Sequence, residues 1–394
     1  MIQKIKALSS KYLQQNIANR RHLHANPELS FQEFETAKFV EQELARIGIT
    51  NYTRKANTGI LAIIEGKNPS KKVIALRGDM DALPIQEQNN CEYKSQNPGV
   101  MHACGHDVHT SSLLGVAQIL YELRDKWEGT VKLIFQPGEE KLPGGASLMI
   151  AEGVLQNPAP TYIFGQHVMP LIPAGKVGFR PGLYMASTDE IYVTVKGKGG
   201  HGAMPHLNID PVVITSHLII ALQQLVSRVA NPIIPSVLSF GKVQANGATN
   251  VIPNEVYLEG TFRTLDEKWR SEAHEKMIKL ATGLAESMGG SCDFRIERGY
   301  PFLKNDPELT SWAKMAAIEY LGADNVLDLD IWMAAEDFSF YSQEMPACFY
   351  RLGTRNEAQG ITSSVHTPTF DIDESALETG VGLMTWLALQ QLNS

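Results

Sequence analysis

A chain of 394 residues is longer than a single hydrophobic core usually grows, so two domains are expected. Apolar residues at 43% and charged residues at 20% fit a soluble globular protein, while a net charge of −8 without a run of Lys or Arg argues against a nucleic-acid or membrane partner. Four scattered cysteines (Cys91, Cys104, Cys292, Cys348), no apolar leader after Met1 and no unbroken run of about 18 apolar residues lead to an expected cytoplasmic chain without disulfides or a membrane span.

The first residues read as an amphipathic segment. Residues 31–47 carry Phe31, Phe34, Ala37, Val40 and Leu44 at three- and four-residue spacing, with Gly48 as a stop, which predicts a helix. Short apolar runs at residues 60–64, 73–76, 131–135 and 162–164 read as buried strands of a mostly parallel sheet, and residues 110–123 show a helical apolar face between them. That alternation predicts an α/β layer fold with helices on both faces of the sheet. From residue 183 to 298 the rhythm changes: strand 191–195, helix 211–229, strands 237–240 and 255–258, helix 268–288, strand 292–296. The order β-α-β-β-α-β is that of a ferredoxin-like unit, compact enough to be inserted into another domain. After Pro301 the alternation returns, with helices at 307–321 and 374–392 and a strand at 348–352. The expected organisation is one domain from residues 1–182 and 299–394, interrupted by a satellite of residues 183–298.

Met101-His-Ala-Cys-Gly-His-Asp-Val-His109 places three histidines and a cysteine in nine residues, just before a predicted helix. Imidazole and thiolate suit zinc and its neighbours in the transition series. One histidine alone is more commonly a satisfied structural residue, whereas this cluster points to a metal site. Cys104 and His106, two apart, can serve one ion or two adjacent ones. Further polar stations adjoin predicted strand ends, where open α/β sheets bind ligands. Strand 73–76 leads into Arg77-Gly-Asp-Met-Asp-Ala-Leu-Pro84, strand 131–135 into Gln136-Pro-Gly-Glu-Glu140, and strand 162–164 into Gly165-Gln-His167; Ser364-Val-His-Thr-Pro368 precedes the last helix. Paired acids are usually solvated, but Glu139 and Glu140 follow an apolar strand and have Pro and Gly beside them. In a non-helical turn such carboxylates can point apart, so Glu140 is assigned as a ligand and Glu139 as the base toward a metal-acidified water.

These strings, together with Gly200-His-Gly-Ala-Met-Pro-His206, Asn250-Val-Ile-Pro253, Gly260-Thr-Phe-Arg263 and Ala335-Glu-Asp-Phe338, resemble the N-acyl-L-amino-acid amidohydrolases over nearly the whole chain, in order. That group includes hippurate hydrolase, bacterial deacetylases and plant indoleacetyl-amino-acid hydrolases. It is a branch of the two-metal peptidase family with carboxypeptidase G and acetylornithine deacetylase. The resemblance implies an α/β, mostly parallel-sheet metallohydrolase domain with an inserted ferredoxin-like α+β dimerisation domain. It implies metal ligands at Cys104, His106, Glu140, His167 and His366, with Cys104 bridging two divalent ions where peptidase relatives use an aspartate. Zinc or manganese is expected, and cobalt and nickel also suit these donors. The resemblance further implies that Glu139 is the general base and that Asp81 orients the site. Asp79 stands where peptidase relatives place a histidine ligand and receives no role; His102 and His109 are read as packing or supporting residues. On the insert, it implies that His201 is an oxyanion donor, reaching the site of a partner subunit in a homodimer or homotetramer, and that Asn250 and Arg263 hold the substrate's α-carboxylate. Taken alone, Arg263 can also be an exposed strand arginine and Asn250 a turn residue before Pro253.

The leading expectation is a dinuclear metal-dependent amidohydrolase cleaving N-acyl-L-amino acids (N-acetyl, hippurate-like or related) to a carboxylate and a free amino acid. A metallo-carboxypeptidase or dipeptidase is the rival within that class, and Cys104 with the string at 77–84 points away from it. Outside the class stands a non-catalytic metal-dependent binding protein, although binding alone needs no base at Glu139. A structural zinc site fits poorly, because the candidate ligands spread from residue 104 to 366 and include a carboxylate.

Overall fold

The computed structural model describes residues 1–393, and the chain divides into two compact units. The first comprises Met1–Tyr184, Lys304–Ile331 and the chain from Asp337 onward; the second comprises Met185–Leu303 and Trp332–Glu336.

The first unit holds an eight-stranded sheet in the order Tyr52–Lys55, Gly59–Glu65, Thr130–Gln136, Val73–Asp79, Tyr162–Pro173, Ala347–Arg355, Val177–Phe179, Val326–Asp328. Its four central strands, from Thr130–Gln136 to Ala347–Arg355, run mutually parallel. An antiparallel hairpin flanks them on one side. Strands Val73–Asp79 and Thr130–Gln136 are buried at every position, which is why they read as unbroken apolar runs rather than as an alternation. Helices His106–Glu122 and Ala376–Asn393 pack on Val73–Asp79, and the long helix Ile2–Ala25 packs on both of them. The core gathers Leu76, Leu113, Val116, Phe135, Leu352 and Val381, each large aliphatic side chain stabilising the fold by about 1.5–3 kcal/mol on burial.

Several boundaries differ from the sequence pattern. The strand expected at 162–164 continues to Pro173, so His167 lies within it rather than beyond its end. Gly165, Gln166 and His167 are buried polar or small residues that interrupt the apolar run without interrupting the strand. The helix expected from Phe31 begins at Phe34, because Phe31 sits in the left-handed region at φ 66°. Strands Val177–Phe179 and Val326–Asp328 are too short to carry a period.

In the second unit the order is strand Asp189–Lys196, helix Pro211–Gln224, strands Ser236–Ala245 and Glu255–Thr264, helix Glu267–Ser287, strand Ser291–Arg298. The four strands form an antiparallel sheet with Asp189–Lys196 between Glu255–Thr264 and Ser291–Arg298. Alternating burial along Asp189–Lys196 turns Ile191, Val193 and Val195 into the unit's core. Asp210 caps the first helix by accepting from the Val212 and Val213 amides, and Asp266 caps the second through Trp269. A two-residue ribbon, Gly200–His201 against Val251–Ile252, was too short to be expected. Pro211–Val229 is long and apolar enough to cross a membrane by length and composition alone, with 28% of that window buried, and Thr215, Ser216 and His217 break its apolar run.

Candidate metal centre

Gly105 lies between two candidate ligands at φ +80°, and a Cβ there would stand 2.5 Å from the Val168 side chain. Only glycine lets the chain turn from Cys104 into the helix that starts at His106. His106 is fully buried; its Nδ1–H donates to Asp81 Oδ1 at 3.0 Å, and its Nε2 has no hydrogen-bond partner. His167 is anchored the same way, with Nδ1–H donating to the Val168 carbonyl at 2.8 Å and Nε2 3.4 Å from Cys104 Sγ. Each anchor fixes the ring orientation so that Nε2 faces the other candidate ligands and can bind a cation when it carries no proton. His366 is held in the left-handed region at φ 61°, with its amide on the Ala103 carbonyl at 2.7 Å. Its Nε2 lies 3.3 Å from Cys104 Sγ and 3.1 Å from Glu140 Oε1.

The ligand atoms of Cys104, His106 and His167 lie within 4.8 Å of one another, and so do those of Cys104, Glu140 and His366. The two sets share the Cys104 sulfur. Glu139 belongs to a third set with His106 and Glu140, and its Oε1 accepts the Asp337 amide at 3.3 Å. Five candidate ligands and the candidate base thus come from four separate stretches of chain to one locality.

The orphaned atoms test whether this locality fits metal. Buried His106 Nε2 makes no hydrogen bond, lying 3.7 Å from Asp79 Oδ2, and Glu140 Oε1 makes none despite its 3.1 Å approach to His366. Buried polar atoms are rarely left so. Lone pairs aimed at common points are the arrangement a cation satisfies. Electrostatics agrees: burial pushes the Cys104 thiol well above its ordinary range, and Glu140 and Glu139 push it further. Burial opposes a proton on His106, but Asp79 and Asp81 outweigh it and raise the imidazole to about 10. Burial, reinforced by Arg351, drives His167 well below its usual value and keeps it neutral. A pocket this rich in carboxylate attracts positive charge, and a divalent ion binds such thiols as thiolates. Mixed sulfur, nitrogen and oxygen donors suit zinc, manganese, cobalt or nickel without choosing among them.

Asp81 accepts the Glu140 amide at 2.9 Å through Oδ2 while Oδ1 holds His106, so one carboxylate orients two candidate ligands. Against burial, the His106 bond keeps it below the usual carboxylate range. Asp79 accepts from His109 Nδ1 and Arg77 Nη1, each at 2.5 Å. His109 Nε2 accepts the Val168 amide at 2.9 Å, so both of its nitrogens are engaged and it does not compete as a ligand. Buried Arg77 also donates to Asp337 at 2.7 Å, and Asp337 accepts from Gln136 Nε2 at 2.8 Å and the Ala146 amide at 2.9 Å. For Arg77 and Asp79 the sequence signal is a charge inside an apolar strand, whereas Asp337 lies in a turn and carries no such signal. His102 is buried with neither ring nitrogen partnered, and burial lowers it to about 4, so it stays neutral.

The remaining sequence candidates belong to the second unit. Exposed His201 pairs with Val251 in the short ribbon, where Gly202 donates to the Asn250 carbonyl at 2.9 Å, bringing His201 and Asn250 side by side. His201 Nδ1 accepts the Ala203 amide at 3.1 Å, which leaves Nε2 as the donor of the neutral ring. Arg263 is half-buried, with Nη1 on the Met333 carbonyl at 3.3 Å, and burial lowers its pKa.

Peptidase family M20/M25/M40 matches residues 75–390. The chain belongs to this family. N-acyl-L-amino acid amidohydrolase of Geobacillus stearothermophilus is 44% identical over 298 residues, 76% of this chain and 80% of that protein. IAA-amino acid hydrolase ILR1-like 5 of Arabidopsis thaliana is 39% identical over 378 residues, 95% of this chain and 86% of that protein. The crystal structure of the Bacillus subtilis YXEP protein, a dinuclear metal binding peptidase from the M20 family, matches with TM-score 0.83 at 35% identity over 98% of this chain and 99% of that one. These M20 proteins are hydrolases, and the mixed α/β fold with a mostly parallel central sheet is theirs as well.

Proposed function

We propose that this M20 protein is a dinuclear metal-dependent amidohydrolase that cleaves N-acyl-L-amino acids to a carboxylate and a free amino acid. The observation that carries the reading is the pair of ligand sets sharing Cys104 Sγ with Glu139 beside them. The relatives named for N-acyl-amino acid and IAA-amino acid hydrolysis support the same substrate class.

Cys104, His106 and His167 would hold one divalent cation, and Cys104, Glu140 and His366 a second, with zinc or manganese expected and cobalt or nickel compatible. Such ions supply a Lewis acid for the amide carbonyl and an acidified water. Glu139 would accept a proton from the attacking water and pass it to the leaving nitrogen. Asp81 keeps His106 and the Glu140 backbone in place through this exchange. His201 Nε2–H is the donor for the developing oxyanion, and Asn250 and Arg263 recognise the substrate's α-carboxylate. We assign the second unit to substrate capture and to a homodimer or homotetramer.

The test is hydrolysis of an N-acetyl and N-benzoyl amino acid panel, with dipeptides alongside, after chelation and after reloading with each of the four metals. Chelation should abolish turnover, one metal should restore it, and acyl amino acids should outrun dipeptides. Preference for dipeptides would move the assignment to a peptidase, and tight binding without product would leave a binding protein.

A further inference from the structure

We propose that the segment at residues 28–33, which lies before the region matched by the family, aims the Glu139–Glu140 turn, with Glu33 as a positioning residue assisted by Ser30 and Phe31. The proposal rests on the amidohydrolase reading for its activity arm alone.

Glu33 stands at the N-cap of helix Phe34–Ile47, where an acid ordinarily bonds the first free amides of the helix. Its carboxylate makes no such bond. Glu28 does that work instead, accepting the Glu35 amide at 3.2 Å and the Thr36 amide at 2.8 Å. Glu33 is thereby released to reach across to the turn. Fully buried, it accepts the Gly138 amide at 2.8 Å and the Phe31 amide at 2.9 Å through Oε1, and the Thr58 hydroxyl at 2.6 Å through Oε2. Gly138 immediately precedes Glu139 and sits at φ +57°; a Cβ there would lie 2.3 Å from the Phe31 ring. The turn is therefore gripped at its amide by Glu33 and on its face by Phe31, whose own backbone is held at φ 66°. Such strain in a bulky residue persists only where the surroundings enforce it.

Two residues further along, the Glu140 amide bonds Asp81 Oδ2, and Ser30 Oγ donates to the same oxygen at 2.7 Å. The segment is tied beside Asp81 by the Ala82 amide on the Glu28 carbonyl at 2.8 Å. One short stretch thus fixes the backbone on both sides of Glu139. Burial, with Asp81 adding, pushes the Glu33 carboxyl up to about 7, so glutamine is a close chemical substitute.

The experiment compares Glu33→Ala, Glu33→Gln, Ser30→Ala and Glu139→Ala by three readouts: amide hydrogen exchange of a peptide covering residues 136–141, kcat and KM on an N-acetyl amino acid, and metal content. Exchange is measured on metal-free and metal-loaded protein. Glu33→Ala should speed exchange in that peptide and lower kcat about 10–100-fold with KM little changed, and Glu33→Gln should restore both. Ser30→Ala should speed exchange at the same peptide with a smaller fall in kcat, and it carries the test if Glu33→Ala does not fold. Native exchange and kcat in Glu33→Ala, or native exchange in Ser30→Ala, overturns the proposal. Undiminished turnover by Glu139→Ala overturns the functional reading instead, while the exchange data still judge the positioning role.

Discussion

In the first unit His106 and His167 each spend Nδ1 on a fixed oxygen and present Nε2 inward, both side chains buried. In the second unit His201 stands exposed on a two-residue ribbon with Asn250 exposed in the turn beside it, tied by backbone bonds and by one amide on the His201 ring. The first arrangement is oriented before any ligand arrives, in a low-dielectric setting where misplacement is costly. The second keeps its donor hydrated until something covers it. On the proposed function, mutations in the first unit should alter chemistry or metal loading, and mutations in the ribbon should alter turnover alone.

The largest expected effect tests the first half of that division. Glu139→Ala should lower kcat by about 10²–10⁴-fold while metal content, measured by elemental analysis, stays at the native level. Loss of metal together with activity would make Glu139 a ligand rather than a base. Next, His201→Ala should lower kcat by about 10²–10³-fold, with metal affinity and melting temperature unchanged, because its side chain is exposed. A melting shift of several degrees would break the comparison by making the ribbon part of the folded core. Asp81→Ala should weaken metal affinity by about 10–100-fold in a chelator competition, with much of the activity recovered at saturating metal. Native affinity in that variant would remove Asp81 from the centre.

How far the sequence anticipated this follows the same division. Cys104, His106 and Glu140 were legible because donors that suit metals cluster next to apolar runs, and the parallel strands because they are buried on both faces. His167 was found but its setting was not: a strand through Gly165-Gln-His has no apolar period to show. Asp79, Arg77 and Asp337 form a buried charge network whose members are 260 positions apart at the extreme, a pairing no local pattern encodes. Glu33 was hidden more thoroughly, since the apolar spacing places it inside a helix from Phe31, whereas in the fold it precedes the helix and Glu28 caps the first amides. The ribbon that carries His201 was missed because two residues are too few for alternation.

The smallest expected effect concerns pH, and here one buried acid from each unit should respond with opposite sign. Asp189 accepts from Arg270 at 2.6 and 2.9 Å and from His274 at 2.6 Å; against burial, these partners hold it below its ordinary 3.8. Its contribution to stability is therefore present above that ordinary value and is lost as pH falls through the depressed folded value. Glu33 runs the other way, raised from an ordinary 4.5 to about 7 by burial and by Asp81. The folded metal-free protein keeps a proton that the unfolded chain has already released, so stability from this group is complete below 4.5 and is lost as pH rises through about 7. Melting temperatures of metal-free protein across this range should decline gently toward neutral pH, and Glu33→Gln should flatten that decline while leaving the acid limb where Asp189 sets it. A Glu33→Gln curve that parallels the native one between those two values would show that Glu33 is already ionised in the folded state.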